Sequence, residues 1–318
     1  MYIGPLTFSE IHEPRPWGGR ALARLAGKKL PPGVPIGESW EISDGSVVRD
    51  GPLEGKTLKN LMQSHAASIV GDGASKQFPL LAKLIHAEQW LSVQVHPDDA
   101  CARRMKIGRL GKTEAWYILD ARKGGEIITG LTKDCRLSAL RDAAESGEIA
   151  TQLKHEPGRA GDVWFCPAGA VHVIGPGLLI FEVQQNADVT FRLYDWGRVG
   201  LDGKPRQLHI EQAIRAIGKT ALSMTKSAPK RLAGLPFPAA RRVRCEQFVM
   251  DDWRVARAAT RVKQPRFEIL HVVRGHGVLT DGLWPPVRFK RGMTLLVPAT
   301  VRHYDIRPAG NPGGKSLF

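Results

Sequence analysis

Apolar residues return every three or four positions in three stretches of the chain, which predicts three helices. Two of these stretches are residues 57–69 and residues 209–217, and each presents its aliphatic side chains on one face. The third, residues 138–153, is rich in alanine, glutamate and leucine. It begins with Ser138, a residue type that commonly caps a helix N-terminus.

Most of the remaining chain consists of short apolar runs bounded by glycine and proline, a pattern typical of β-strands. The clearest runs are residues 88–96, 114–118, 162–166 and 178–184. Many short strands separated by such turn residues favour a sandwich or a barrel. We therefore predict a mainly β protein.

A two-part pattern occurs twice along the chain. In its first part an apolar strand begins with a glutamate and runs to a glycine turn, at Glu114 and again at Glu268. In its second part a strand lies between a glycine and a proline, and a histidine follows five residues after the proline, in residues 161–172 and again in 292–303. This arrangement is typical of half of a cupin barrel. Two copies predict a bicupin, that is two jelly-roll-like β-barrels, with a few inserted helices.

The repeat also predicts how the chain divides into domains. Residues 1–217 form a catalytic, metal-binding cupin with helical insertions, and residues 239–318 form a second cupin unit. Residues 218–238, rich in serine, lysine, proline and alanine, are the expected linker. The second unit has no histidine at the place that matches His96, so we expect it to be metal-free.

Polar side chains with metal-binding chemistry gather in the first unit. Strict alternation in one predicted strand places Ser92, Gln94 and His96 on the same face. Glu114 and His172 belong to two other strand regions of this unit. Two imidazoles and one carboxylate form a ligand set suited to zinc with a position left open, and Gln94 is a candidate fourth ligand. The same donors also bind iron, so the spacing leaves the identity of the metal open.

Composition, apolar runs and cysteine spacing indicate the cellular compartment in which the protein is expected. Hydrophobic residues make up 42% of the chain and charged residues 24%, which are ordinary proportions for a folded protein. The beginning of the sequence has no basic and apolar leader, and no apolar run is long enough to span a bilayer. The four cysteines are widely spaced without a metal-finger pattern. We expect a cytoplasmic protein with free thiols and no membrane partner.

The net charge of +15 is spread along the chain and is accompanied by no nucleic-acid-binding motif, so we expect no nucleic-acid partner. A solvated basic surface explains most of this charge, and attraction of an anionic substrate is the next interpretation. The sequence contains no glycine-rich phosphate loop or dinucleotide fingerprint, so we expect no nucleotide cofactor.

Several long motifs, in the right order, resemble the type I mannose-6-phosphate isomerases in their short bacterial form. The resemblance is dense over roughly the first 220 residues and rests on the cupin pattern alone over the last 80. The motifs are Pro16-Trp-Gly-Gly19, Gly37-Glu-Ser-Trp-Glu-Ile-Ser43, Pro79-Leu-Leu-Ala-Lys-Leu84, Leu91-Ser-Val-Gln-Val-His-Pro-Asp98, Gly111-Lys-Thr-Glu-Ala-Trp116, Pro167-Ala-Gly-Ala-Val-His172, Glu182-Val-Gln-Gln185 and Asp188-Val-Thr-Phe-Arg-Leu-Tyr-Asp-Trp196.

The resemblance implies one zinc ion per chain. The ligands of the family fall on His96, Glu114 and His172, and Gln94 matches a further ligand of its longer members. The same residues form the candidate ligand set that we named above from their residue types.

The resemblance also implies substrate-handling residues. The active-site arginine of the family falls on Arg192, and its lysine two residues before the glutamate ligand falls on Lys112, our candidate acid/base. Lys83 and Ser92 match a lysine and a serine of the substrate pocket, and Arg198 stands where longer members have a second basic residue.

One position departs from the pattern of the longer members. They carry a histidine just before the lysine, whereas this chain has Gly111, which puts in doubt any mechanism that uses that histidine as a proton shuttle. A metal-bound water or another carboxylate, such as Glu41, is an alternative base to Lys112.

The resulting hypothesis is a zinc-dependent aldose–ketose isomerase that interconverts mannose 6-phosphate and fructose 6-phosphate through an enediolate. Its partner is therefore a small phosphorylated sugar. Two alternatives remain open at this point: an iron-dependent cupin oxygenase that uses the same ligands, and a cupin that binds a sugar phosphate without turning it over.

Overall fold

The computed structural model of the chain describes residues 1–218, 221–309 and 316–317. Within them, helices α1 to α5 span Ala21–Ala26, Leu58–Ile69, Asp99–Arg104, Leu140–Ser146 and Ile210–Ile217. Strands β1 to β13 span Leu6–Ser9, Ile11–Gly19, Ile36–Ile42, Val47–Val48, Leu80–His86, Val93–Val95, Glu114–Ala121, Glu126–Leu131, Leu153–Pro157, Val163–Cys166, Val173–Ile174, Leu178–Gln185 and Phe191–Tyr194. Strands β14 to β24 span Thr225–Lys226, Lys230–Leu232, Ala239–Arg244, Val249–Val255, Ala259–Val262, Glu268–His271, His276–Thr280, Val287–Lys290, Thr294–Val297, His303–Pro308 and Ser316–Leu317.

The first part of the chain is organised around one seven-stranded antiparallel sheet, in the order β14-β10-β7-β12-β5-β3-β2. Two smaller sheets, β11-β8-β9 and β13-β6, share a hydrophobic core with it. Buried residues of α4 and α5 complete this core, which holds Trp116, Trp164 and Ile180 from the large sheet. The predicted mainly β fold is therefore present, with helices added at its edges.

The second part of the chain contains two four-stranded sheets, β15-β16-β17-β24 and β18-β23-β20-β21. Their shared core includes the fully buried Tyr304 and Phe289. A further sheet, β19-β22-β1-β4, joins this part to the beginning of the chain, with Leu6 opposite Leu296. Within residues 218–238, β14 pairs with β10 and β15 pairs with β16. The division of the chain at this segment stays a prediction.

The sequence repeat corresponds to a repeated strand pair. In the first copy β7 pairs with β10 and places Glu114 opposite Cys166. In the second copy β19 pairs with β22 and places Glu268 opposite Val297. In both copies the residue opposite the glutamate directly precedes the proline, so the two pairs have the same register.

Two of the three predicted helices are confirmed. Helix α2 begins after Thr57, whose hydroxyl accepts the backbone N–H of Asn60 at 3.1 Å, and it buries its apolar face. Helix α5 follows residue 209 as expected and buries Ala213 and Ile217.

The single helix predicted for residues 138–153 is wrong. The segment forms a 3₁₀ turn at Leu137–Ala139, the short helix α4, and a second 3₁₀ turn at Glu148–Gln152. Ser138 lies inside the first turn and caps no helix. Gly147 ends α4 because it adopts a left-handed conformation with φ of 84°, which continues no α-helix.

The strand predicted for residues 88–96 is shortened to β6. The carbonyl of Trp90 accepts a hydrogen bond from the Arg198 guanidinium at 2.6 Å, and that of Leu91 accepts one from the Trp196 indole N–H at 2.7 Å. These two carbonyls therefore accept hydrogen bonds from side chains, and no neighbouring strand pairs with them.

The four cysteines are unpaired, as the sequence suggested. None of the described helices has both the length and the apolar character that a membrane crossing needs.

Candidate active site

Three strand ends bring His96, Glu114 and His172 together. His96 directly follows β6, Glu114 opens β7, and His172 directly precedes β11. Gln94, in the middle of β6, exchanges two backbone hydrogen bonds with His172, at 3.0 and 3.3 Å. The backbone ladder therefore fixes the positions from which these side chains converge.

The donor atoms of the three side chains have the spacing of a metal site. Glu114 Oε2 lies 3.5 Å from His96 Nε2, and Glu114 Oε1 lies 3.4 Å from His172 Nε2. All three ligand atoms lie within 4.8 Å of one another. Two donors on one tetrahedral ion, each roughly 2.1 Å from it, are separated by about 3.4 Å. The cluster therefore fits a divalent ion such as zinc.

The protonation states also fit a metal. The Nδ1 atoms of His96 and His172 lie 2.8 and 2.9 Å from the backbone carbonyls of Val189 and Ala170, which orients both Nε2 atoms toward the centre. His96 Nε2 is buried and has no hydrogen-bond partner among the described residues. Burial lowers the pKa of both imidazoles, so both are neutral at neutral pH, as metal ligation requires.

Glu114 remains ionised beside them. Burial alone would raise its pKa, but the Lys112 ammonium group, 3.1 Å away, is the first of several cations that together lower it. Gln94 is adjacent, with its amide nitrogen 3.2 Å from His172 Nε2. Gln94 therefore sits beside the three-donor cluster, and its role as a ligand stays a prediction.

A cavity of about 640 Å³ lies beside the cluster, because Gln94 and Lys112, which contact His172 and Glu114, are part of its lining. Its lining includes five predicted site residues, namely Lys83, Ser92, Gln94, Lys112 and Arg192. Trp17, Glu38, Glu182 and Arg206 also line it. The size lies within the range of roughly 300–1,000 Å³ that is usual for small-molecule sites.

Charges of alternating sign, carried by neighbouring strands, line this cavity. Lys83 Nζ on β5 lies 3.1 Å from Glu182 on β12 and 3.9 Å from Glu38 on β3. Lys112 Nζ lies 3.9 Å from Glu182, and Arg15 on β2 lies 3.1 Å from Glu38. We call these five residues the charge ladder. Each charge in it has an opposite charge on a neighbouring strand or loop.

Glu182 is the functional candidate that our sequence reasoning missed. Its carboxylate is buried, and burial together with the nearby Glu114 raises its pKa despite Lys83 and Lys112. The indole N–H of Trp116 donates to both Glu182, at 2.9 Å, and Glu114, at 3.1 Å. The signal in the sequence was a glutamate that interrupts the apolar run of residues 178–183.

The pKa of Glu38 and the pKa of Lys83 are shifted in opposite directions, and each shift favours the charged form. Lys83 and Arg15 lower the pKa of Glu38 to about 2, against the effect of burial. Glu182 and Glu38 raise the pKa of Lys83, again against burial. Both residues are therefore charged at neutral pH and supply fixed charges to the cavity.

Arginines gather at another side of the cavity. Arg192 on β13 pairs with Gln94 on β6 and is held by a 2.9 Å hydrogen bond to the carbonyl of Gln207. Arg206 also lines the cavity, and its guanidinium makes a two-pronged pair with the buried carboxylate of Asp195, with Nε 2.6 Å from Oδ2.

Arg198 does not line the cavity. Its guanidinium donates to the carbonyl of Trp90 and, at 2.8 Å, to Asp195. Of the two arginines that bind Asp195, Arg206 is therefore the one that lines the cavity.

The contacts of Glu41 and Gly111 bear on the alternative bases considered from the sequence. Glu41, the alternative carboxylate, does not line the cavity, and its carboxylate accepts hydrogen bonds from Lys28 at 2.6 Å and from Ser39 at 2.7 Å. At Gly111 a Cβ atom would lie 2.4 Å from the carbonyl oxygen of Pro97, so no side chain fits there. A histidine in this position is therefore excluded by the backbone as well as by the sequence.

In the second copy of the repeat the corresponding glutamate has different partners. Glu268 accepts hydrogen bonds from Arg261 at 2.7 Å and from Tyr304 at 2.8 Å, and the side chain of His303 is exposed. Among the described residues, His96, Glu114 and His172 form the single group of donors placed to hold a metal.

The repeated strand pairs and the three-donor cluster beside a charged cavity define a cupin-type protein with a candidate metal centre. The family model of the phosphomannose isomerase type I catalytic domain matches residues 8–142. The mannose-6-phosphate isomerase ManA of Bacillus subtilis is 36% identical over 308 residues, which cover 94% of each chain. The mannose-6-phosphate isomerase of Streptococcus mutans is 35% identical and covers 93% of each. This chain belongs to the type I phosphomannose isomerase family.

The fold agrees with this assignment. A crystal structure of the mannose 6-phosphate isomerase from Bacillus subtilis superposes with a TM-score of 0.89 at 31% sequence identity. The match covers 99% of this chain and 98% of that one. The mainly β, cupin-type architecture predicted from the repeat is confirmed. The described strands form six separate sheets.

Proposed function

We propose that this protein is a zinc-dependent isomerase that interconverts mannose 6-phosphate and fructose 6-phosphate through an enediolate. The observation that carries the proposal is the convergence of His96, Glu114 and His172 beside a cavity that is lined by Lys112, Glu182 and Arg192. Membership of the family supplies the substrate class, because its relatives are named for this sugar phosphate.

The three-donor cluster would hold the metal, with Gln94 beside it. Bound there, zinc would supply Lewis-acid polarisation of the carbonyl and hydroxyl oxygens of the open-chain sugar. Neutral His96 and His172 and ionised Glu114 are the protonation states that favour such binding.

The reaction moves a proton from C2 of the open-chain aldose to C1, while the hydroxyl proton of O2 is lost and O1 gains one. We assign the transfer of the carbon-bound proton to Glu182, because burial raises its pKa toward neutral pH and makes its carboxylate a stronger base. Lys112, 3.9 Å from Glu182, is placed to donate to the enediolate oxygens. The indole of Trp116 and the Lys83 ammonium hold the Glu182 carboxylate in place.

Two arginines are placed to bind the anionic groups of the substrate. Arg192 lies beside Gln94 across the β6–β13 pair and therefore next to the cluster, where a fixed cation stabilises negative charge on the enediolate. Arg206 lines the cavity close enough to Arg192 to contribute to lowering the pKa of Arg192. We assign Arg206, with Ser92, to the phosphate group, and Arg198 to holding Asp195.

A coupled assay tests the proposal. The purified protein should convert mannose 6-phosphate to fructose 6-phosphate, lose this activity after treatment with a chelator, and regain it with one equivalent of zinc per chain. Bound iron with oxygen consumption and no isomerisation after zinc loading would instead favour the oxygenase. Binding of mannose 6-phosphate without turnover by the zinc-loaded protein would favour a non-catalytic sugar-phosphate-binding protein.

A further inference from the structure

A second cavity, of about 920 Å³, lies between the beginning of the chain and the β20–β21 hairpin. Its lining shares no residue with the candidate substrate cavity. Six lysine and arginine residues line it, and we call it the basic cleft: Lys28, Lys29, Arg49, Arg288, Lys290 and Arg291.

The acidic residues of the cleft do not balance these cations. Glu10 and Asp50 are the two acids in the lining. Glu10 lies 3.5 Å from Lys28, which also pairs with the buried Glu41 outside the cleft. Asp50 is paired with Arg49 at 3.1 Å. Among the described residues, the side chains of the remaining four cations make no ion pair.

The fold brings these four cations together. Arg288 and Lys290 alternate with the buried Phe289 on β21, so both are exposed on the same side of the strand. Gly292 has φ of 81°, and a Cβ there would lie 2.2 Å from the carbonyl oxygen of Ala26. The turn that carries Arg291 is therefore packed directly against the end of α1.

This packing places Lys290 and Arg291 at the same cavity as Lys28 and Lys29, which follow α1. Like charges gathered in a concave site repel one another and generate a positive potential, which a bound anion would offset. The half-buried His12 also lines the cleft, and its Nε2 atom is buried without a hydrogen-bond partner among the described residues. The cleft thus offers unpaired cations and an unsatisfied polar atom.

We propose that the basic cleft is a second anion-binding site, which takes a small molecule carrying two or more phosphate groups. Its volume fits a metabolite, and the cations line a partly open cleft between two parts of the fold. A nucleic acid would instead be bound by an extended basic surface that follows its backbone. The proposal is independent of the isomerase assignment, because the two cavities have separate linings.

Calorimetric titration with 2,3-bisphosphoglycerate tests the site. We expect one equivalent to bind the zinc-loaded wild-type protein at physiological salt. The Lys290→Gln/Arg291→Gln double variant should bind it at least tenfold more weakly. On binding, amide hydrogen exchange should slow in the 287–293 segment of the wild-type protein. Because the substituted side chains are exposed, the double variant should keep the wild-type melting temperature and the wild-type kcat/KM for mannose 6-phosphate.

Two controls locate the bound anion. Lys123→Gln/Arg302→Gln removes the same charge from exposed positions outside both cavities and should change the affinity less than threefold. Arg206→Gln, in the substrate cavity, should also change it less than threefold. No binding to the wild-type protein, equal weakening in both double variants, or a loss confined to Arg206→Gln would overturn the proposal. It would also be overturned if a single-stranded oligonucleotide bound more tightly and displaced the bisphosphate.

Discussion

Replacing Arg206 with glutamine separates phosphate recognition from the chemistry of the cavity. Arg206 lines the cavity, whereas Arg198 is held by Trp90 and Asp195 outside it. In the Arg206→Gln variant Asp195 keeps its pair with Arg198. The substitution therefore removes one cation from the cavity without leaving the buried carboxylate unpaired.

The size of the effect follows from the type of contact that is lost. A hydrogen bond between charged groups contributes about 1.5–3 kcal/mol. At about 1.4 kcal/mol for each factor of ten, the KM for mannose 6-phosphate should rise roughly 10- to 150-fold. Because the phosphate is remote from C1 and C2 and its charge does not change during the reaction, kcat should stay within about threefold.

The assay compares mannose 6-phosphate with mannose, which lacks the phosphate. The Arg206→Gln variant should lose kcat/KM for the phosphorylated sugar and keep it for mannose. The matched variant Arg198→Gln should change the KM by less than about threefold and lower the melting temperature, because it breaks two structural contacts. An unchanged KM in Arg206→Gln, or an equal loss for both sugars, would refute the assignment of Arg206 to the phosphate.

Four other predictions concern the metal, the proton transfer and the pH dependence of stability. His172→Ala should lose metal and activity together, and full zinc retention measured by atomic absorption would contradict the ligand set. Arg192→Ala should lower kcat by about two to three orders of magnitude with normal zinc content, and a near-wild-type kcat would remove it from the mechanism. Glu182→Gln should lower kcat by roughly 10²- to 10⁴-fold while zinc and substrate still bind; retained kcat would move the proton transfer to Lys112. Burial and the nearby Lys28 lower the pKa of His271 to about 3 in the folded protein. As the pH falls below about 6.5, this imidazole therefore binds a proton in the unfolded chain but not in the folded one. The free energy of unfolding should therefore fall by about 2 kcal/mol by pH 5. Urea unfolding should show a smaller fall in this free energy between pH 7 and pH 5 for His271→Gln than for the wild-type protein.

The sequence predicted the features that depend on local pattern. Helix α2 follows from its apolar period, and the equivalent strand pairs follow from the repeated glutamates and prolines. The three-donor cluster was also predicted, because each donor lies within a motif whose position in the fold is fixed by a strand end. These features need little knowledge of distant contacts.

The remaining features depend on contacts between residues far apart in the chain. Glu182 gains its importance from neighbours on β5 and from Lys112, and only the strand order brings them together. Arg206 and Arg198 both carry the right charge, and Asp195 with the carbonyl of Trp90 decides which of them reaches the cavity. Sequence motifs identify the residue types, and strand pairing determines which of them meet.

The charge ladder connects the fold of the sheet with the placement of the site. Buried charges are tolerated when each is paired, and removing one partner commonly costs about 3–5 kcal/mol. Side chains alternate between the faces of a strand, so a slip of β5 by one residue would turn Lys83 to the opposite face and leave Glu38 and Glu182 without it. The ladder therefore disfavours alternative registers of β3, β5 and β12. The pairing of β12 with β7 holds Glu182 beside Lys112 at the cavity. A slip of β12 would therefore break the ladder, destabilise the sheet and misplace the proposed proton-transfer group.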